Sequence, residues 1–204
     1  MSTRAAEVHR GLSLEYFTVS WNALEAVVAL VSGAVAASVA LIAFGLDSII
    51  EVSSGIILLW RLHADHDDAR REAVERRALA LVGLSLLALA AYVGGDSILT
   101  LVRKDSPERS LPGILLAVAS LIAMPLLARR KRRVASTLGS SALHADSRQT
   151  DICAYLSGIL LLGLLLNAAL GWWWADPVAG LAMTPLIAFE GVQAVRGKTC
   201  CETC

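Results

Sequence analysis

Of the chain's 204 residues, 56% are hydrophobic and only 18% charged, with a mean hydropathy of +0.62. Soluble globular chains are about 45–50% apolar and about 25% charged, so the excess excludes a disordered chain, a collagen-like repeat and a small disulfide scaffold. Lys+Arg and Asp+Glu both number 18, so no basic excess points to nucleic acid.

A helix that crosses a bilayer needs about 20 largely apolar residues. Six stretches qualify, which predicts an all-α, polytopic membrane protein with six transmembrane helices. The first fifteen residues are polar and show no signal-peptide cleavage pattern, so helix one, at 16–36, is expected to act as its own insertion signal. Asn22 and Glu25 fall early within it.

Helix two, at 40–62, follows a very short link. It contains DSIIE, which sets Asp47 and Glu51 four residues apart on one helical face. An ionisable side chain at membrane depth costs about 2.5–3.5 kcal/mol on insertion scales and marks a functional position by default. Two carboxylates on one face also repel each other. Either a bound divalent cation compensates them, or one is protonated and hydrogen-bonded to a neighbouring helix. The loop that follows holds HADHDD, with His63, His66, Asp65, Asp67 and Asp68, which either gathers cations or is a solvated loop and cap.

Helix three is expected at 78–102, with Tyr92 and Asp96 near its far end, and helix four at 111–128, followed by the basic run RRKRR at 129–133. Helix five, at 141–168, opens with HADSRQTDICAY. Asp146, Gln149, Thr150 and Cys153 share one of its faces and combine oxygen and sulfur ligands. His144, Arg148 and Asp151 share another, which reads as an internally neutralised ion-pair face or a wet vestibule. An apolar cysteine is most often core, but Cys153 stands one turn past Gln149. A short link with Trp172, Trp173 and Trp174, an interfacial anchor, leads to helix six at 174–195, where Asp176 before Pro177 reads as that helix's own cap. The end of the chain, CCETC, places Cys200, Cys201 and Cys204 too close together for a disulfide framework, and their spacing is not that of a closed zinc site.

Basic residues fix the expected orientation. Fourteen lie on one side: Arg4 and Arg10, then Arg61, Arg70, Arg71, Arg76 and Arg77, then the five at 129–133, then Arg196 and Lys198. The opposite side holds Arg103, Lys104 and Arg109. Cytoplasmic loops carry the Lys/Arg excess, so both termini are expected in the cytoplasm.

Three stretches in order resemble the transmembrane domain of the cation diffusion facilitator (cation efflux) family. SVALIAFGLDSIIEV at 38–52 is similar to the family's second helix, SALHADSRQTDICAYLSG at 141–158 to its fifth, and WADPVAGLAM at 174–183 to the start of its sixth. The resemblance implies a divalent metal transporter that exports its ion from the cytoplasm in exchange for protons. Its metal positions fall on Asp47 and Glu51 in helix two, where Glu51 replaces the usual Asp, and on Gln149 and Cys153 in helix five, where the family carries His and Asp. Asp146 or Asp151 is expected nearer the entrance.

The implied cargo is zinc, with iron(II), manganese, cobalt and cadmium as alternatives, and no permanent cofactor. The implied partners are the lipid bilayer, the divalent cation, protons and a second copy in a homodimer, with no nucleic acid. The expected organisation is a cytoplasmic segment at 1–15, a six-helix cation-efflux domain at 16–197 and a Cys-rich cytoplasmic tail at 198–204. The family's soluble C-terminal domain is not expected, as in short animal zinc-transporting membrane proteins of the same kind. The expected location is a bacterial inner (plasma) membrane. The rival function is a membrane protein that binds metal and modulates a partner without transporting. An enzyme is not expected, since no HExxH, GxSxG or phosphate loop occurs.

Overall fold

A computed structural model of the protein describes residues 3–63, 68–139 and 141–196. Within them the chain forms six helices: α1 Thr3–Ala36, α2 Val39–His63, α3 Asp68–Arg103, α4 Leu111–Leu138, α5 Ser141–Leu170 and α6 Ala175–Val195. Each contains a stretch long and apolar enough to cross a membrane, and no strand occurs among the described residues. Residues 64–67 of the HADHDD stretch and the tail with Cys200, Cys201 and Cys204 lie outside the described residues.

Three helices are longer than hydropathy alone indicates. α1 starts at Thr3 rather than 16, α3 at Asp68 rather than 78, and α4 continues through RRKRR to Leu138 rather than stopping at 128. Their polar extensions are rich in Ala, Arg and Glu, which favour helix whether or not lipid surrounds them. True stops come from local chemistry. Ser110 caps α4 by accepting from the Gly113 amide at 3.2 Å, and Gly139 ends it at φ 62°, the left-handed conformation that glycine tolerates best.

Sequential helices pair as antiparallel hairpins, α1 with α2 and α4 with α5, and α1 also packs on α4. These four form one bundle. α3 pairs chiefly with α6, and the two flank the bundle against α2 and α5. At the α3–α6 crossing, a side chain added at Gly83 would begin 2.7 Å from the Gly191 carbonyl oxygen, so the two backbones touch there. In lipid, where apolar burial gives no drive between helices, such close approach supplies the packing attraction.

The bundle has an apolar outer face and an apolar core through which a polar stripe runs. Val27, Val31 and Val35 of α1 are exposed, while Glu15, Thr18, Asn22 and Glu25, on the opposite face, are buried. Asp176 caps a helix, but not its own. Its carboxylate accepts from the Ser38 hydroxyl at 2.5 Å and from the Ala40 amide at 3.5 Å, at the N-terminus of α2, while Ser38 Oγ also accepts from the Leu41 amide at 3.1 Å. α6 itself has no side-chain cap. A buried carboxylate is stabilised by the positive end of a helix dipole, and α2 presents that end across the interface.

Candidate cation site

The polar interior of the bundle follows from helical spacing. On α1, Glu15, Thr18, Asn22 and Glu25 recur every three or four residues and share one buried stripe. α2 brings Asp47, Ser48 and Glu51 to the same interior, α4 brings Ser120, and α5 brings Thr150, Cys153 and Ser157.

Asp47 is 2% exposed and Glu51 is 8% exposed. Glu51 Oε2 accepts from Asn22 Nδ2 of α1 at 2.6 Å. Glu25 is held by three donors: the Trp21 indole at 2.7 Å, the Ser48 hydroxyl at 3.4 Å and the Ser120 hydroxyl of α4. Asp47 Oδ1 and Asn22 Oδ1, both buried beside this pair, are among the side-chain oxygens with no hydrogen-bond partner among the described residues. Such atoms cost stability unless a cation or donor reaches them. Among the described residues no salt bridge reaches Asp47 or Glu51.

Cys153 is 1% exposed and lies within electrostatic reach of Glu51, Glu25, Asp47 and Glu190. Gln149, one turn earlier, is half-buried. The other two sequence candidates on α5 are engaged elsewhere. Asp146 pairs with Lys131 of α4 at 2.5 Å, and Asp151 pairs with Arg132 of α4. Arg148 and His144 are exposed, so the charge on Asp151 is balanced from the neighbouring helix and not along its own face. Among the described residues, no three His, Cys, Asp or Glu side chains converge closely enough to hold a metal ion in this arrangement. Asp47, Glu51 and Cys153 share an interior without closing into a ligand sphere.

Two residues gain importance over their sequence reading. Glu190 of α6 is partly buried and sits within electrostatic reach of both Asp47 and Glu51. In the sequence it is an acid near the inner end of an apolar block, which reads first as an interhelical or interfacial group; the packing of α6 on α2 reveals its neighbours. Lys131 is fully buried, although it sits in a basic run. The periodicity of α4 holds the signal, because Ser120, Met124, Leu127, Lys131 and Val134 form one buried stripe. Asp96, by contrast, is outside the site, one turn from Tyr92 on a partly exposed flank of α3.

The family described as the cation efflux transmembrane domain matches residues 16–198. The chain belongs to that family. An uncharacterized transporter of Synechocystis sp. is 26% identical over 194 residues, covering 91% of this chain and 62% of that protein. The cation-efflux pump FieF of Shewanella oneidensis is 29% identical over 118 residues, covering 54% of this chain and 38% of the pump. The matches thus span less than two thirds of the length of these curated relatives. Family and six apolar helices together make this an integral membrane protein.

Proposed function

We propose that this chain carries a divalent cation across the membrane, with Asp47 and Glu51 as its principal ligands. The observation that supports this best is a buried carboxylate pair that no salt bridge reaches among the described residues, in which Asp47 Oδ1 and the neighbouring Asn22 Oδ1 lack donors, inside a transmembrane domain of the cation efflux family. A hard or borderline divalent ion offers such a pair the charge and coordination it lacks. Cys153 adds a soft ligand and Gln149 an amide oxygen, a set that suits zinc and also admits cadmium, iron(II), cobalt and manganese. Small rigid-body shifts of the helices would draw these ligands together and open the site to each side in turn.

Metal binding requires deprotonated carboxylates, so each cation bound displaces protons, and protons returning from outside would drive release. In this reading the protein exports its cation from the cytoplasm of a bacterium, both termini are cytoplasmic and two copies form a dimer. A cysteine introduced at the exposed Arg133, with the native cysteines replaced, tests orientation. It should be unreactive to an impermeant maleimide applied to intact cells and reactive in inverted membranes. Labelling from outside intact cells contradicts the orientation.

The rival reading, a membrane protein that binds metal or a partner without transport, draws on the lack of a closed three-ligand group among the described residues. Flux through the purified protein in liposomes, measured with zinc, manganese, iron(II), cobalt and cadmium, separates the two.

A further inference from the structure

Toward the end of the helices where α1 begins and α6 ends lies a second pair of acids, one buried and one largely so. Glu15 of α1 is fully buried, and Asp146 of α5 keeps 16% of its side chain exposed. The Lys131 ammonium, itself fully buried, reaches Glu15 Oε2 at 2.9 Å and Asp146 Oδ2 at 2.5 Å. The second Glu15 oxygen, Oε1, is buried and has no hydrogen-bond partner. Gly55 of α2 leaves room for it, since a side chain there would begin 2.8 Å from that oxygen. Gly55 is one turn from Glu51, and Glu15 is two turns, about 10 Å, from Asn22 along α1. Lys131 also lies within electrostatic reach of Glu51.

Counted as ionised, two carboxylates face one ammonium. The cluster is short of one positive charge and holds an acceptor oxygen with no donor. A divalent cation would balance both carboxylates and use that oxygen. The exposed edge of Asp146 gives an arriving ion a first contact. The neighbouring Arg132–Asp151 pair differs, because both its side chains are open to solvent and neither closes the interior.

We infer that Glu15 and Asp146 form a second cation site, held closed by the tethered Lys131 ammonium, which a divalent cation displaces as it passes between this end of the bundle and Asp47 and Glu51. The passage rests on the carrier reading above; the displacement of Lys131 is a separate claim and is tested separately.

The chain has three lysines, Lys104, Lys131 and Lys198, so amine modification is resolved site by site. Purified full-length protein is acetylated with an N-hydroxysuccinimide ester, with and without zinc ion, and each lysine is quantified by mass spectrometry. Zinc should raise acetylation of Lys131 by about tenfold or more, as a ligand does when it favours a state that exposes a buried group, and leave the exposed Lys104 unchanged. The same rise is expected in the Asp47→Asn/Glu51→Gln double variant, because the ion acts on Lys131 directly. Acetylation of Lys131 that zinc leaves unchanged or lowers overturns the inference. So does a zinc response that vanishes in the double variant, since Lys131 would then merely follow the central site. Flux of the double variant reports the carrier reading by itself, whatever Lys131 does.

Discussion

Glu15 and Asp146 share an ammonium; Asp47 and Glu51, in the same four-helix interior, share none among the described residues. At the first pair the protein supplies one positive charge itself, from Lys131, against two carboxylates. At the second it supplies an amide donor from Asn22 and leaves the charge unbalanced. Taking an ion out of water into a low-dielectric interior costs several kcal/mol, so an unbalanced buried pair survives only where something else offsets it. The first pair therefore ties α1, α4 and α5 together in this arrangement, and the second has no such tie; in the reading proposed above it takes up a mobile cation. Removing one charge should consequently have opposite effects at the two places.

The largest effect is expected at Lys131. Lys131→Met removes the counter-charge and leaves two carboxylates buried without it, at a cost of about 3–5 kcal/mol. Thermal unfolding in detergent measures it. A variant that melts with the wild type would mean that the ion cluster does not hold α1, α4 and α5 together. By the same logic Asp47→Asn loses no protein partner at Oδ1 and relieves repulsion from Glu51, so its melting temperature should hold or rise.

A middle effect is expected where the two pairs meet. Gly55→Ala sets a methyl against Glu15 Oε1 and 2.6 Å from a methyl of Val19, and overpacking of this kind costs about 1–3 kcal/mol. It should lower the melting temperature and slow cation flux together. Unaltered melting and flux would separate Gly55 from both pairs.

The smallest effect is expected at Cys153. Cys153→Ser exchanges a soft sulfur for a harder oxygen at a buried position, so zinc and cadmium should weaken relative to manganese, with little change in fold. Competition between zinc and manganese in the flux assay reads this out. An unchanged preference would make Cys153 core packing and shift the search for the α5 ligand to Asp146.

Much of this contrast was legible in the sequence, and the rest was not for definable reasons. Six apolar stretches and the four-residue spacing of Asp47 and Glu51 are local patterns, so the helices and the central pair could be read directly. The polar stripe of α1 was half visible, since Glu25 stood out within an apolar block but Glu15 sat in a polar segment read as outside the membrane. Lys131 was counted with its four basic neighbours as a cytoplasmic surface charge. Helix α4 in fact continues through that run, so one of five successive side chains turns inward while Arg129, Arg130 and Arg133 stay exposed. Asp176 was read as the cap of its own helix, because its true target, the start of α2, adjoins it only after folding. Glu190 is visible only as an acid near the inner end of the last apolar block, which reads first as an interhelical or interfacial group; its carboxylate neighbours on α2 are not legible there. What the sequence hides here is which charges the fold brings together, because partners lie on different helices and far apart along the chain.

The most direct test of the central claim is zinc flux into proteoliposomes that hold purified Asp47→Asn or Glu51→Gln, each shown to elute and melt like the wild type. Both amides keep the size and hydrogen-bonding capacity of the acids but lack the negative charge that offsets desolvation of a cation. The prediction is that each variant, alone, falls to the flux of empty liposomes with no loss of melting temperature. Wild-type flux through both would contradict the account and place the cation elsewhere in the bundle.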